Sequence, residues 1–176
     1  AMELWIILAL LILLLGGWAV STQRRLSILA ENADSAMRQL GVQLSSRLDA
    51  LAGLLELAAG CAPQEVQPLS DRVRAQRSGG STAITPEDVQ RQEQLIDETL
   101  HSVTALTQAY PQLEHDARYK KCTMALDCYE KMVQTSALIY NDAVAKLNRA
   151  VMAFPARLAA GAMGFRQRAY LELPKA

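Results

Sequence analysis

Residues 4–20 read LWIILALLILLLGGWAV, a run in which every side chain is apolar or absent. No charged residue falls between Glu3 and Arg24. Coiled as a helix, this stretch spans about 30 Å, the thickness of a bilayer's hydrocarbon core. Trp5 and Trp18 stand near its two ends, where indole rings favour the membrane interface. A cleaved signal peptide fits poorly. Glu3, not a positive charge, precedes the run, and no cleavage site is evident after it. Residues 4–23 are therefore expected to form a retained, single-pass transmembrane helix, with Met2 as the natural start.

The flanks set the expected orientation. Arg24 and Arg25 follow the run directly, and Arg38 and Arg47 come later, whereas Glu3 precedes it. The positive-inside rule then places the short N-terminus outside and the bulk of the chain in the cytoplasm. Three cysteines without a CxxC pair agree with a reducing compartment and indicate neither a disulfide framework nor a zinc ribbon.

Beyond Arg25 the pattern keeps a helical period. Leu26, Leu29, Ala33, Ala36, Leu40, Leu44, Leu48, Leu51, Leu55 and Ala58 recur at steps of three and four. No proline interrupts Leu4 to Ala62, so the membrane helix is expected to run on to about Gly60, which reads as a C′ residue. A bend at Gly16–Gly17 or near Ser21 is the alternative. Pro63 to Ser78 reads as a shorter helix with Val66, Leu69 and Val73 on one edge, where Pro68 fits only in the first turn. Ser78-Gly-Gly-Ser81 is a loop. Thr85-Pro86-Glu87-Asp88 is a helix start, with a capping threonine, proline at the first position and acids on the positive dipole end. That helix ends by Pro111. A last helix of about 40 residues follows, its stripe running through Tyr119, Cys122, Ala125, Tyr129, Met132, Ser136, Tyr140, Ala143, Leu147, Val151 and Phe154 to Pro155. The composition agrees, being 51% hydrophobic but only 5% aromatic and filled with leucine and alanine. The expected fold is all-α: a transmembrane helix at 4–23 continuing into a four-helix bundle over 24–155, with long first and last helices, then a basic amphipathic tail at 156–176.

Chemistry is sparse. Lys plus Arg and Asp plus Glu both number 18, which argues against a nucleic-acid binder. Glu98-x-x-His101 matches half of a di-iron signature, but His115 lacks the second copy. Cys122 and Cys128 lie on different sides of one helix. No phosphate loop, HExxH or nucleophile triad is present. No catalytic residue, metal ligand or cofactor is expected.

Charge is uneven. Lys146, Arg149, Arg157, Arg166, Arg168 and Lys175 face one acid, Glu172, after Ala143. Arg72, Arg74 and Arg77 form a second basic cluster, and the Pro86 helix starts acidic. These are solvated faces, or a basic surface for anionic lipid or for the acidic face of another copy. In the tail, Leu158, Ala159, Ala162, Met163 and Phe165 lie between arginines. That pattern suits an interfacial helix on the membrane and equally a segment folded back on the bundle.

The C-terminal residues resemble the LemA family. Tyr140-Asn141-Asp142-Ala143-Val144, Asn148, Phe154-Pro155, Leu158, Ala160-Gly161, Gly164-Phe165 and Tyr170 follow the family's order and spacing. Upstream, Ala109-Tyr110-Pro111-Gln112-Leu113 is similar to its YPdL turn, Val42-Gln43-Leu44 with Arg47-Leu48-Asp49 to its first-helix motif, and Glu130 to its last-helix glutamate. The chain departs from the family in carrying Ala52-Gly53 where a Pro-Asn pair is common, and Leu138-Ile139 where a basic residue often precedes the Tyr-Asn pair. The resemblance implies a four-helix cytoplasmic bundle on one N-terminal anchor in a bacterial inner membrane, with no known enzymatic activity. Some members are tied to building magnetosome membranes, others to membrane proteases or envelope stress.

The motif residues suit either fixing the end of the bundle or an assembly contact. Tyr140 on the stripe needs a partner for its hydroxyl, Pro155 ends the helix, and Gly161 and Gly164 permit a tight turn or close approach. The expected function is a membrane scaffold that self-associates as a homo-oligomer. The alternative is an adaptor that recruits another membrane protein, such as a protease.

Overall fold

The computed structural model describes residues 1–79, 85–153 and 155–173. Gly80 and Ser81 of the expected loop, Phe154 and Lys175 lie outside the described residues. Six helices are found among the described residues: α1 (Met2–Ala59), α2 (Pro63–Ser78), α3 (Pro86–Ala109), α4 (Gln112–His115), α5 (Ala117–Met152) and α6 (Ala156–Ala160). No strand occurs among the described residues, so the fold is all-α.

Helix α1 is one unbroken helix through Gly16–Gly17 and Ser21: no proline lies within it, and the leucines and alanines on either side outweigh the unfavourable glycine pair. It ends at Ala59, but not as its sequence suggests. Gly60 does not take the left-handed conformation; among the described residues only Gly164 has positive φ. The amides of Cys61 and Ala62 instead close on the Ala58 carbonyl, which turns the chain at once into Pro63. Pro63 opens α2, so Pro68 falls inside the helix rather than in its first turn. It is exposed there, and one intrahelical hydrogen bond is lost.

Thr85 caps α3 as its sequence dictates: its hydroxyl oxygen accepts the Asp88 amide at 3.2 Å and its O–H donates to the Asp88 carboxylate at 2.9 Å. After Tyr110 the expected single helix is split. Asp116 Oδ1 accepts the Arg118 amide at 2.8 Å, which makes Asp116 a cap for α5 and separates α4 as one turn.

The chain forms two compact units. Unit 1 joins Ala1–Ser35 with Tyr140–Tyr170; unit 2 joins Ala36–Ile139 with Leu171 onward. In unit 2, Leu40, Leu44, Leu51 and Leu55 of α1 are buried along with Val66 and Val73 of α2, Val89, Ile96 and Val103 of α3, and Leu126 and Val133 of α5. Side chains tie α1 to each of the other three. Arg77 of α2 meets Asp49 at 2.8 Å, Glu93 of α3 meets Arg47, and Ser136 of α5 donates to Gln43 Oε1 at 2.7 Å. Unit 2 is thus a four-helix bundle. In unit 1, Leu26 of α1 packs with Leu147, Ala150 and Val151 of α5 and Ala160 of α6.

The expected stripe of α1 is buried throughout, with Leu29 partly so. The stripe of α5 is not: Met132 is exposed, and Leu126 and Val133 are buried in its place. Apolar residues lie on more than one side of α5, so spacing alone does not choose the inner face.

Candidate functional site

The most buried charge in unit 2 is Arg47, only 1% exposed. It occupies a core position, between Leu44 and Leu51 on the inner edge of α1. Its Nη1 donates to Glu93 Oε1 at 2.5 Å and Oε2 at 2.7 Å. Asp97 at 3.9 Å and Glu130 at 4.0 Å lie near its Nη2. Arg47 Nε and Gln92 Nε2 are buried without a hydrogen-bond partner among the described residues. Burial pushes the Glu93 carboxyl above its ordinary 4.5, and nearby Asp97 and Glu130 push the same way, against the lowering by Arg47's hydrogen bond and charge. The first-helix motif singles out Arg47, and Glu130 matches the last-helix glutamate, but Glu93 reads as one of the solvated acids at the start of α3, so the pair is missed. The available signal was register: Arg47 follows Leu40 and Leu44, and Glu93 lies between Val89 and Ile96.

Helix α5 presents an apolar face to solvent in unit 2. Met124 and Leu138 are 72% exposed, and Met132 and Ile139 are also open. Met124, Met132 and Ile139 of this face, with Gln39 and Gln43 of α1, line a groove of about 710 Å³ flanked by Asp127 and Lys131. Cys128 is exposed on the same face. Among the described residues neither Asp127 nor Lys131 makes an ion pair within the chain.

In unit 1 the tail folds back. Tyr140 is buried and its O–H donates to the Ala169 carbonyl at 3.0 Å. The Asn148 amide pairs with the backbone of Arg168 twice, accepting its N–H at 2.8 Å and donating to its C=O at 3.0 Å. The Arg168 guanidinium meets Asp34 of α1. Further on, Leu171 is buried in unit 2 and the Gln90 side chain donates to the Glu172 carbonyl at 3.0 Å. The turn into the tail is a Schellman closure. The Phe165 amide reaches the Ala160 carbonyl at 2.9 Å, the Gly164 amide reaches Gly161 at 3.3 Å, and Gly164 takes φ +83°. Phe165 packs against the core that contains Ala160. Gly161 shows neither a positive φ nor a close approach, so the expected need for glycine holds at Gly164 alone.

The other expected site residues are placed as follows. Pro155 is exposed and precedes α6, which is a single short helix; Leu158 of the expected tail stripe stands in solvent. Asn141 is half-buried, and Asp142 pairs with Lys146 at 2.8 Å. Tyr110 and Pro111 form the α3–α4 turn of unit 2, where the Tyr110 carbonyl accepts the Leu113 amide at 3.0 Å. Arg157 and Arg166 are exposed, as are Arg24 and Arg25; Trp5 is open and Trp18 sits at the margin of exposure. The Arg72–Arg77 cluster is largely spent inside unit 2, on Glu98 at 3.0 Å and Asp49 at 2.8 Å. His101 and His115 are exposed, and no three metal-binding side chains converge among the described residues.

Among the described residues one helix, α1, is long and apolar enough to cross a membrane, and its apolar stretch is wholly unburied. An apolar segment of membrane length, a four-helix bundle with an arginine in its core, and a tail pinned by Tyr140 and Asn148 define a class of helical-bundle protein. The chain belongs to the LemA family, whose model matches residues 36–176. No curated protein matches the chain.

Proposed function

We propose that this protein is a non-enzymatic scaffold, anchored by residues 4–23 in the bacterial cytoplasmic membrane with a short N-terminus outside and the bundle in the cytoplasm. Copies pair through the exposed face of α5 and so organise or shape the membrane. The observation that carries the reading is the open apolar row Met124, Met132, Leu138 and Ile139 beside an apolar groove. A row of that kind on one helix marks an interaction surface. Asp127 and Lys131 on the same face make it self-complementary. When two such faces meet, the Asp127 and Lys131 of each copy find opposite charges on the other.

Cysteine cross-linking tests this. With Cys61 and Cys122 replaced by alanine, Cys128 is the sole thiol. Mild oxidation of membranes holding this variant is expected to give a disulfide-linked dimer, and Met132→Glu is expected to abolish it. Cross-links to a different membrane protein, with none between copies, would support an adaptor and overturn self-assembly.

A further inference from the structure

The small core of unit 1 lies where the apolar run ends. Leu26 follows Val20 by fewer than two turns, about 9 Å along the helix. The end of α5 and α6 pack on it through Val151 and Ala160. That contact holds the α5–α6 corner level with the headgroup zone that borders a span of this length. The corner's own surface fits such a place. Leu158 is 74% exposed and Met152 is also open, so both lose water contact on entering lipid. Arg149, Arg157 and Arg166 are exposed around them, and among the described residues none makes an ion pair. The carboxylates of unit 1 do not cancel this charge: Asp34 is taken by Arg168 and Asp142 by Lys146, which leaves Glu31 as the exposed acid on α1 beyond Leu26.

We infer that the α5–α6 corner is a second membrane contact, with Leu158 inserted at the interface and Arg149, Arg157 and Arg166 on anionic lipid headgroups. The inference rests on reading residues 4–23 as a membrane span. It is independent of pairing through α5.

The test uses the full chain reconstituted in vesicles, with Cys61, Cys122 and Cys128 replaced by alanine. An environment-sensitive fluorophore is attached at Leu158→Cys, and at Leu11→Cys as a control within the span. In phosphatidylcholine vesicles containing phosphatidylglycerol, the probe at position 158 is expected to emit to the blue and to be quenched by spin-labelled lipid. In phosphatidylcholine alone both effects are expected to shrink. Arg157→Gln and Arg166→Gln are each expected to lower the ratio of lipid-bound to free corner about fivefold. A probe at 158 that stays in water while the probe at 11 is quenched would overturn the inference and leave the anchor standing. A blue shift at 158 without lipid quenching would also overturn it, because the corner would then meet protein. An unquenched probe at 11 would overturn the anchor itself.

Discussion

Arg47 on α1 and Glu93 on α3 are joined through a single guanidinium nitrogen, which holds both carboxylate oxygens at 2.5 and 2.7 Å inside the bundle. A buried pair of this kind adds little net stability compared with apolar residues of the same volume, but removing one partner strands the other. Arg47→Met is therefore expected to cost about 3 kcal/mol, roughly a 10 °C fall in the melting temperature of the full-length protein in mild detergent. Adding Glu93→Leu to that variant is expected to restore the loss, since it also removes the carboxylate left behind by Arg47. Two independent losses that simply add would show that the pair does not act as a unit.

The pH dependence follows from Glu93. Its carboxyl is raised in the folded protein, chiefly by burial, so the fold binds this proton more tightly than the unfolded chain does. The resulting stability is fully present below pH 4.5 and is lost as pH rises through the higher folded value. Glu98 and Asp116 act oppositely. Hydrogen bonds from Arg72 and Arg118 lower them, so their contribution is present above their ordinary 4.5 and 3.8 and fades in stronger acid. In Arg47→Met the raising of Glu93 is unopposed, so that variant should regain stability on titration from pH 7 toward pH 5. Glu93→Gln should flatten this slope. Thermal melts across that window distinguish the cases, and an Arg47→Met variant that weakens further in mild acid would contradict the assignment.

The tail gives a paired comparison of glycines. Gly164 holds φ +83°, and an L side chain there costs about 1–2 kcal/mol. Gly161 has open space and no such angle. Gly164→Ala should thus lower the melting temperature by several degrees, while Gly161→Ala should leave it unchanged or slightly raised. Tyr140→Phe removes the hydroxyl bonded to Ala169 and is expected to cost about 1 kcal/mol. Faster amide exchange around residues 168–171 is its local signature.

Much of this was legible in the chain. The α1 stripe from Leu26 to Ala58 and the Thr85 cap were both readable, because each rests on local spacing or a local hydrogen bond. What escaped has nonlocal causes. The choice between Met132 and Val133 as the inner residue of α5 depends on what α1 and α3 present to it. Arg47 stood out in the first-helix motif, but Glu93 looked like one of the solvated acids of α3, because neither position announces its distant partner. The fold-back of the tail was one of two arrangements its apolar pattern allowed, and it is decided by Tyr140 and Asn148 reaching backbone groups of Ala169 and Arg168, which carry no sequence signature. Pro68 inside α2 is tolerated at an exposed position, which propensity alone argues against.

The charges on the α5 face offer a reciprocal test of pairing. Asp127→Lys and Lys131→Asp, made singly, each leave both faces with charges of one sign and should weaken association. Made together they restore opposite charges and should recover it. Equal association by all three variants would remove the charge argument.

The mass of the full-length protein in mild detergent, measured by light scattering over a range of concentrations, tests self-assembly most directly. The scaffold reading expects a mass at least twice that of the chain, falling on dilution and falling to one chain in Met132→Glu. A single-chain mass at every concentration would contradict it.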